Sequence, residues 1–268
     1  MGGILTIQDL SCVGKCSLSV ALPILSAMGC TCSVLPTAVL STHTAFPDPH
    51  VRSLTEDLLP NARHWASIGA RFDAISIGYL SDPEQAQAVM KVLDLFESPV
   101  ILDPVMGDHG KLYSRMTDAN VFAMKKLCRK ADYLLPNLTE AAFLTGLPYR
   151  EQPDEAYLTE LTQGLLAFGV KAAVITDIHW DENTTGFAGI HAETGPFSYR
   201  ANKLPGSQHG TGDMFSAVFS GSLLSGKLVS DCAILAAQFV EQVITATEER
   251  SAFGARFEPL LPWLWQQL

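Results

Sequence analysis

The stretch Gly206-Ser-Gln-His-Gly-Thr-Gly-Asp-Met-Phe-Ser216 combines three glycines, an acid and the start of an apolar run. Apolar residues then recur at Met214, Phe215, Val218, Phe219 and Leu223. This spacing predicts a helix with one buried face. Glycines let the backbone approach a ligand closely, and the free amides and dipole at a helix start favour an anion. The stretch therefore predicts a phosphate-binding loop that leads into a helix.

Asp213 is the unexpected residue of this loop, because its negative charge would repel the anion that the glycines favour. Two interpretations are open from this stretch alone. The carboxylate can act as a catalytic base beside a phosphoryl group. Alternatively, it can cap the start of the helix, as acids commonly do. The two interpretations differ in whether Asn could replace Asp213 without loss of function.

Composition restricts the class of protein. The chain has 268 residues, 47% of them hydrophobic, which is typical of a soluble globular protein with one large core. Its net charge of −10 and pI near 5.1 argue against a nucleic-acid-binding surface, which needs clustered Lys and Arg. No apolar run has the evident length of a membrane span, and no basic region precedes the first apolar residues. We therefore expect no membrane segment and no signal peptide, and we predict a cytoplasmic location.

Predicted strands and helices alternate along the chain. Strands are expected over residues 3–8, 30–40, 73–80 and 170–176. Segments 100–108 and 131–140 are each expected to begin as a strand and to end in a turn. Helical patterns cover residues 18–28, 54–67, 117–130, 213–225 and 230–247, while segment 178–204 favours strands and loops. The alternation predicts an α/β fold, a three-layer α/β/α sandwich around a mostly parallel sheet. No composition break or internal repeat interrupts it, so residues 1–268 are predicted to form a single domain.

Local signals add three finer predictions. Residues 9–17 are polar and predict a turn after the first strand. Ser81 and Glu84 have the spacing of a capping box at the start of a further helix. Trp263 and Trp265 near the end of the chain are interpreted as packing residues.

Polar residues follow the predicted strands, at Asp9, 41–44, Tyr79, Asp103, Asn137, Glu140, Thr176 and Asp213. The carboxyl ends of parallel strands share one edge of a sheet, so we expect these side chains to meet there. Acids beside a phosphate-binding loop imply a divalent cation, because unpaired carboxylates would repel a polyphosphate. Mg²⁺ prefers such oxygen ligands and keeps several waters. The pattern indicates phosphoryl transfer, which needs positioning, charge neutralisation and a base for the acceptor hydroxyl.

Several spaced motifs resemble those of a known family. Gly210-Thr-Gly-Asp213 resembles the signature of the ribokinase-like superfamily, and Asn137-x-x-Glu140 resembles its magnesium motif. Within that superfamily the chain resembles the pyridoxal (vitamin B6) kinases, through Asp103-Pro-Val-Met-Gly-Asp108, Ser41-Thr-His-Thr44 and Gly78-Tyr79. The matches run from about residue 4 to residue 245 in the family's order. Several spaced motifs are more specific than any one, and they favour the catalytic interpretation of Asp213.

The resemblance implies a ribokinase-like fold and ATP-dependent phosphorylation of the 5′-hydroxymethyl group of a B6 vitamer. Asp213 is then the base and a contact of the vitamer, and the anion hole for the transferring phosphate is formed by Gly210, Thr211 and Gly212. Nucleotide contacts are implied for Asp103, Asn137, Glu140, Thr176, Gly210 and Gly212. Asp103 and Glu140 would hold Mg²⁺, and a monovalent cation such as K⁺ is a further candidate.

The resemblance also implies contacts to the pyridine ring from Asp9, Thr37, His43 and Tyr79. Residues 107–113 resemble the flexible flap of the family, and their two glycines suit a moving lid. The partners implied are a B6 vitamer and Mg-ATP, with neither nucleic acid nor a membrane, in a homodimer.

Three departures from the family pattern leave the substrate open. Asp9 stands where pyridoxal kinases usually have Ser, and Thr42 replaces the usual Asn. An acid near the ring could favour pyridoxamine, or a hydroxymethylpyrimidine with its exocyclic amine. His209 also resembles hydroxymethylpyrimidine kinases of the same superfamily, although those commonly carry Cys in place of Asp213. A hydroxymethylpyrimidine kinase is therefore one alternative. A B6-binding protein without turnover is another, but the presence of Asp213, Glu140 and the glycine loop argues against it.

Overall fold

The computed structural model describes residues 2–204, 208–247 and 251–267. Gly206 and Ser207, which begin the glycine-rich stretch, lie outside the described residues. The remainder of that stretch, from Gln208 onwards, is described.

One large sheet runs through the described part of the chain. The strands are β1 (Gly3–Val13), β2 (Thr31–Thr42), β3 (Val51–Ser53), β4 (Ala74–Ile77), β5 (Val100–Leu102), β6 (Gly107–Asp108), β7 (Lys111–Leu112), β8 (Tyr133–Leu134), β9 (Ala172–His179), β10 (Thr184–His191) and β11 (Gly195–Asn202). The sheet has the order β11-β10-β9-β8-β5-β4-β1-β2-β3, and β6 pairs separately with β7. Neighbours from β9 to β2 are parallel, whereas β3, β10 and β11 are added antiparallel at the two edges.

Helices cover both faces of this sheet. They are α1 (Leu18–Ala27), α2 (Thr55–Ser67), α3 (Pro83–Leu93), α4 (Asp118–Cys128), α5 (Leu138–Thr145), α6 (Glu155–Leu166), α7 (Thr211–Leu224), α8 (Val229–Ala246) and α9 (Leu261–Gln266), the last preceded by a 3-10 turn at Glu258–Leu260. One apolar core joins the sheet to α2–α6 and includes Leu58, Val89, Leu127 and Leu161. A second core, on the opposite face, joins it to α1 and α7–α9 and includes Ile24, Phe219, Phe239 and Leu264. The predicted α/β fold with three layers is confirmed.

The strand order reverses direction at β1. The chain passes from β1 to its neighbour β2, and then returns to the other side of β1 to form β4 and the strands beyond it. At such a switch point the crossover helices lie on opposite faces and leave a crevice at the carboxyl edge of the strands. The fold thus places its natural ligand crevice at the end of β1, where Asp9 lies.

Several local predictions were wrong. Residues 9–13 continue β1 through pairing with β2, so Asp9 lies within a strand rather than in a turn. The residue that caps α3 is Asp82, which accepts a hydrogen bond from the Gln85 amide, and not Ser81. The sequence interpretation passed over α6 altogether. Trp263 packs on Phe239, but Trp265 is 62% exposed and is not a core residue.

Helix α8 also requires a correction. By length and composition Val229–Ala246 is apolar enough to cross a membrane, contrary to the expectation from the sequence. In the fold its inner face contributes Cys232, Phe239 and Val243 to the core under the sheet. A core helix of this kind meets the same length and hydropathy criteria as a membrane span.

Candidate active site

Asp213 lies in the first turn of α7 but does not cap it. The N-cap is Gly210, whose backbone is left-handed with φ 86° and which has no side chain to form a capping hydrogen bond. Asp213 is the third helical residue and is only partly exposed. The interpretation of Asp213 as a simple N-cap is therefore wrong.

The surroundings of Asp213 suit a group that takes up a proton near neutral pH. Burial raises the pKa of its carboxyl from 3.8 to about 7, the amide of Ser17 opposes this rise through a hydrogen bond, and the negative charge of Asp9 adds to it. A general base works best when its pKa lies near the working pH. Asp213 can therefore exchange a proton near neutral pH.

Gly210 and Gly212 have different structural reasons to be glycine. A β-carbon on Gly210 would lie 2.2 Å from the Lys15 carbonyl oxygen, at a φ that side chains rarely adopt. A β-carbon on Gly212 would meet no atom within 4 Å among the described residues. Gly210 is thus required by the fold itself. Gly212 instead leaves open space at the helix start, beside the amides that would face an anion.

A second group of predicted residues meets beyond β5 and β8. Asn137 caps α5, accepting at 2.9 Å from the Glu140 amide, and Glu140 Oε2 accepts at 2.9 Å from the Asn137 amide. Glu140 Oε1 accepts at 2.9 Å from the amide of Met106. Thr176 pairs with Asn137 through a single parallel bridge, and its amide donates to the Pro136 carbonyl at 2.9 Å. These residues, which were predicted at the ends of parallel strands, therefore lie together at one edge of the sheet.

Asp103 and Glu140 form a buried pair of acids. Burial raises the pKa of Asp103 well above its ordinary value, and the charges of Glu140 and Asp213 raise it further. Burial also raises the pKa of Glu140 to about 8, although amide hydrogen bonds from Asn137, Met106 and Gly107 oppose the rise. Two acids that repel one another in this way are stabilised as carboxylates when a cation lies between or beside them.

The oxygen atoms of Asp103 and Glu140 can be compared with the ligands that Mg²⁺ prefers. Within the described ranges no three His, Cys, Asp or Glu side chains converge on one point. Both Glu140 oxygens already accept backbone amides, whereas the Asp103 carboxylate has no hydrogen-bond donor among the described residues. Such a site fits Mg²⁺, which keeps several waters and is held by one or two carboxylates together with substrate phosphates.

Residues 107–113, expected to be a flap, form a short hairpin of β6 and β7. Its turn is made by His109 and Gly110, both with left-handed φ. The hairpin is tied to the start of α5: Asn137 Nδ2 donates to the Gly107 carbonyl at 2.8 Å, and the Gly110 amide donates to Thr139 Oγ1 at 2.9 Å. Any movement of this hairpin would therefore be transmitted to Asn137.

The four residues predicted to contact the ring lie together at the end of β1. Asp9 lies at a bulge in the pairing of β1 with β2, where Thr37 and Ala38 stand opposite it, and Thr37 Oγ1 donates to the Tyr79 carbonyl at 3.4 Å. Burial raises the pKa of the Tyr79 phenol and the charge of Asp9 adds to the rise, whereas burial lowers the pKa of His43 and Asp9 opposes the fall. This part of the edge adjoins Asp213, whose pKa Asp9 also raises.

His43 is held by a segment near the end of the chain. Its Nε2 lies 2.9 Å from the Ala252 carbonyl, and since a carbonyl only accepts, this nitrogen carries the hydrogen. The ring contacts Phe46 and His209 at centroid distances of 4.8 and 4.9 Å. Burial lowers the pKa of His43, which favours the neutral ring. A neutral ring protonated on Nε2 presents Nδ1 as a hydrogen-bond acceptor.

The same terminal segment, residues 251–258, also contacts the loop after β1. The Lys15 amide donates to the Phe253 carbonyl at 2.7 Å, and Lys15 Nζ forms an ion pair with Glu258. A cavity of about 360 Å³ opens beside this region, lined by residues 44–49, Ser114 and Arg115. One of the lining residues, Phe46, packs on the His43 ring, so the cavity borders the ring-contact residues.

Sequence reasoning missed two parts of the site. The segment 251–258 carries no local signal, because its contacts are made to residues more than 200 positions earlier in the chain. Ser17 was treated as part of a polar turn, yet its hydroxyl donates to Asp9 Oδ1 at 2.5 Å. A positive φ at Ser17 is not readable from its residue type, since Gly, Asn and Asp are the usual residues there.

Comparison with known proteins gives a consistent result. The family model described as phosphomethylpyrimidine kinase matches residues 22–260. The chain is 27% identical over 256 residues to the pyridoxine/pyridoxal/pyridoxamine kinase of Bordetella pertussis, covering 92% of this chain and 89% of that protein.

Solved structures give closer matches. Pyridoxal kinase from Lactobacillus plantarum superposes with a TM-score of 0.90 at 34% identity, over 100% of this chain and 98% of that one. A Bacteroides thetaiotaomicron protein, named a phosphomethylpyrimidine kinase and crystallised with pyridoxal, gives a TM-score of 0.93 at 33% identity, over 98% and 95% of the two chains. The chain therefore belongs to the phosphomethylpyrimidine kinase family and is a member of its pyridoxal kinases.

Proposed function

We propose that this protein transfers the γ-phosphoryl group of ATP to the 5′-hydroxymethyl group of a B6 vitamer, giving the 5′-phosphate and ADP. The observation that carries the proposal is the convergence of Asp213, the Asp103–Glu140 pair and the ring-contact group at one sheet edge, in a chain that matches pyridoxal kinases along nearly its whole length. The proposed product would serve vitamin B6 salvage.

Asp213 is the proposed base. The vitamer hydroxyl must lose its proton as its oxygen attacks phosphorus, and a carboxylate with a pKa of about 7 can accept that proton at neutral pH. The amides of Gly210, Thr211 and Gly212, at the start of α7, would donate to the oxygens of the transferring group. Gly212 has the open space that such an approach requires.

Asp103 and Glu140 are the proposed holders of Mg²⁺, with Asn137 and Thr176 beside them toward the nucleotide phosphates. When bound, Mg²⁺ neutralises phosphate charge during the transfer. Asp103 would be the direct ligand, because its carboxylate is free of donors among the described residues. Glu140 would act through a water, because its two oxygens already accept amides. A K⁺ site is proposed only from the family resemblance.

Asp9, Thr37, His43 and Tyr79 are the proposed contacts of the pyridine ring. Their grouping at the switch point of the sheet supports this role, and Asp9 lies close enough to Asp213 to raise its pKa. The neutral His43 would offer Nδ1 as an acceptor to a donor on the vitamer. We also propose that all 268 residues form one domain, and that the protein is a homodimer in the cytoplasm.

A hydroxymethylpyrimidine kinase is the second candidate. It is supported by the description of the matching family model and by His209, whose ring centroid lies 4.9 Å from that of His43 in the ring-contact region. Pyridoxal is nevertheless the molecule named with the Bacteroides structure, at 33% identity. This makes a B6 vitamer the better supported substrate.

An ADP-release screen separates these candidates. Purified protein with Mg-ATP is offered pyridoxal, pyridoxine, pyridoxamine, hydroxymethylpyrimidine and ribose in parallel. We expect the highest kcat/KM with one of the three B6 vitamers. A preference for hydroxymethylpyrimidine would replace the proposed substrate, and ribose serves as the control for non-specific turnover. Binding of pyridoxal without ADP release would contradict the kinase proposal itself.

A further inference from the structure

Ser17 has an unusual backbone conformation at the start of α1. Its dihedrals are φ 54° and ψ −129°, a combination that glycine adopts easily and that an L side chain adopts at a cost. As the N-cap residue, Ser17 would ordinarily accept a hydrogen bond from an amide in the first turn. No side-chain capping bond is formed here. Ser17 therefore destabilises this helix start in two ways, through its backbone conformation and through the missing capping hydrogen bond.

The hydroxyl of Ser17 instead faces a carboxylate, and it donates to Asp9 Oδ1 at 2.5 Å. The backbone of Ser17 also forms an antiparallel bridge with Leu10, the neighbour of Asp9. Ser17 thus contacts the carboxylate predicted to face the ring through its side chain, and the strand that carries this carboxylate through its backbone.

The opposite side of Asp9 is also fixed. Ser11 Oγ donates to Asp9 Oδ2 at 3.0 Å, and the bulge opposite Thr37 sets the direction of the strand at this point. Asp9 is only 3% exposed, so its charge depends on these two hydroxyl donors. Of the two donors, Ser17 forms the shorter hydrogen bond to Asp9.

We propose that Ser17 is a positioning residue that holds the Asp9 carboxylate against the vitamer. Backbone strain that persists at a site is maintained by the surrounding contacts, and here the hydrogen bond to Asp9 is one of those contacts. This inference rests on the proposed function and goes beyond it, since it concerns how the carboxylate that faces the ring is held in place.

Four single variants and one double variant test the role. Ser17→Ala removes the hydroxyl and retains the β-carbon, whereas Ser17→Gly removes the hydroxyl and also relieves the backbone conformation. Ser19→Ala is the matched control, because among the described residues the hydrogen bonds of the Ser19 hydroxyl are to the carbonyls of Gly14 and Cys16 and from the Cys16 amide. Ser17→Ala combined with Asp9→Ala completes a double-mutant cycle with Asp9→Ala alone.

We expect both Ser17 variants to raise the KM for pyridoxal by about 10-fold or more, as for a lost hydrogen bond to a charged group. The KM for ATP should stay within about twofold, and Ser19→Ala should behave as wild type. Ser17→Gly should melt at or above the wild-type temperature, so that its kinetic defect is not a folding defect. In the Asp9→Ala background, Ser17→Ala should cause no further rise in the pyridoxal KM.

Two results would overturn the inference. One is an unchanged pyridoxal KM in Ser17→Gly, which would leave the hydroxyl without a role in recognition. The other is an equal effect of Ser17→Ala with and without Asp9, since a residue that acts through Asp9 cannot act in its absence. Failure of the proposed function is a separate outcome, because it would appear as absent turnover of every B6 vitamer by the wild-type protein.

Discussion

Asn137 and Glu140 exchange hydrogen bonds across the first turn of α5, each accepting the other's backbone amide at 2.9 Å. The Asn-x-x-Glu motif is therefore also a capping box, and it stabilises the helix whether or not a metal binds. Glu140 Oε1 in addition holds the Met106 amide, which precedes the β6–β7 hairpin. One acid thus links the helix start, the hairpin and the proposed Mg²⁺ site.

Glu140→Gln should separate the structural and metal-related roles. Glutamine retains one acceptor oxygen, so one of the two amide contacts is lost and stability should fall by roughly 1 kcal/mol. We also expect the Mg²⁺ concentration for half-maximal rate to rise, because a charge is lost beside Asp103. Thermal melts and rates against Mg²⁺ concentration measure the two effects.

Asp154→Ala is the matched control for Glu140→Gln. Asp154 caps α6 by accepting from the Tyr157 amide at 2.7 Å, so its loss should lower the melting temperature without changing the Mg²⁺ dependence. An unaltered Mg²⁺ dependence in Glu140→Gln itself would remove Glu140 from the metal site and leave it a capping residue.

The two glycines of the loop provide a second prediction. Gly210→Ala should be poorly folded, because the new β-carbon would lie 2.2 Å from the Lys15 carbonyl oxygen and φ is 86°. Gly212→Ala should fold with an unchanged or higher melting temperature, since it meets no described atom and alanine favours a helix. If phosphate approaches there, Gly212→Ala should nevertheless lose at least about 10-fold in kcat, measured by ADP release. Normal turnover by a stable Gly212→Ala protein would place the anion elsewhere.

Asp9→Ser tests ring recognition. A buried carboxylate pairs well with an amino or cationic substituent, so its removal should disfavour pyridoxamine relative to pyridoxal. The readout is the ratio of kcat/KM for pyridoxamine to that for pyridoxal, in which general damage to the enzyme cancels. A ratio that does not fall in Asp9→Ser would exclude Asp9 from the specificity of the site.

The parts of the site that the sequence predicted share one physical reason. Asp103 and Asn137 each follow a buried apolar strand, and Thr176 lies in the second half of β9, where it pairs with Asn137. Parallel strands bring their carboxyl ends to one edge whatever their order in the sheet. The glycine-rich loop was predictable because the helical period begins directly after it. In both cases a local pattern and a general rule of α/β folds were sufficient.

The remaining features depend on tertiary contacts that no local pattern encodes. Residues 9–13 mix polar and apolar side chains without a clear strand pattern, and they extend β1 through pairing with the long strand β2. The hydrogen bond from His43 to Ala252 joins residues 209 positions apart. The Ser17 hydroxyl donates to Asp9 across eight residues of chain, from a backbone conformation with φ 54° that its residue type does not predict. The fold was thus predictable, whereas the supports of the site were not.

The pH dependence of the rate gives a prediction for Asp213. The base must be ionised to accept a proton, so kcat/KM should fall about tenfold per pH unit below its pKa of about 7 and be level above it. The charge of Asp9 raises this pKa, so Asp9→Asn should shift the profile to lower pH. Titration of the vitamer itself is common to both enzymes and does not affect the comparison. An identical profile in Asp9→Asn would show that the titrating group is not Asp213.

Asp213→Asn tests the mechanism most directly. Asparagine retains the size of the side chain but cannot act as the base, so kcat should fall at least about 10²-fold. ATP affinity should hold or improve, because a negative charge near the phosphates is removed. The folded-state pKa of Asp213 lies above its ordinary 3.8, so its contribution to stability is complete below pH 3.8 and is lost as pH rises through about 7. Asparagine does not ionise, so the variant does not lose this stability as pH rises. At pH 8 it should therefore melt at or above the wild-type temperature. A stable Asp213→Asn protein with near-normal kcat would contradict the proposed base, since neither misfolding nor weak nucleotide binding could then account for the result.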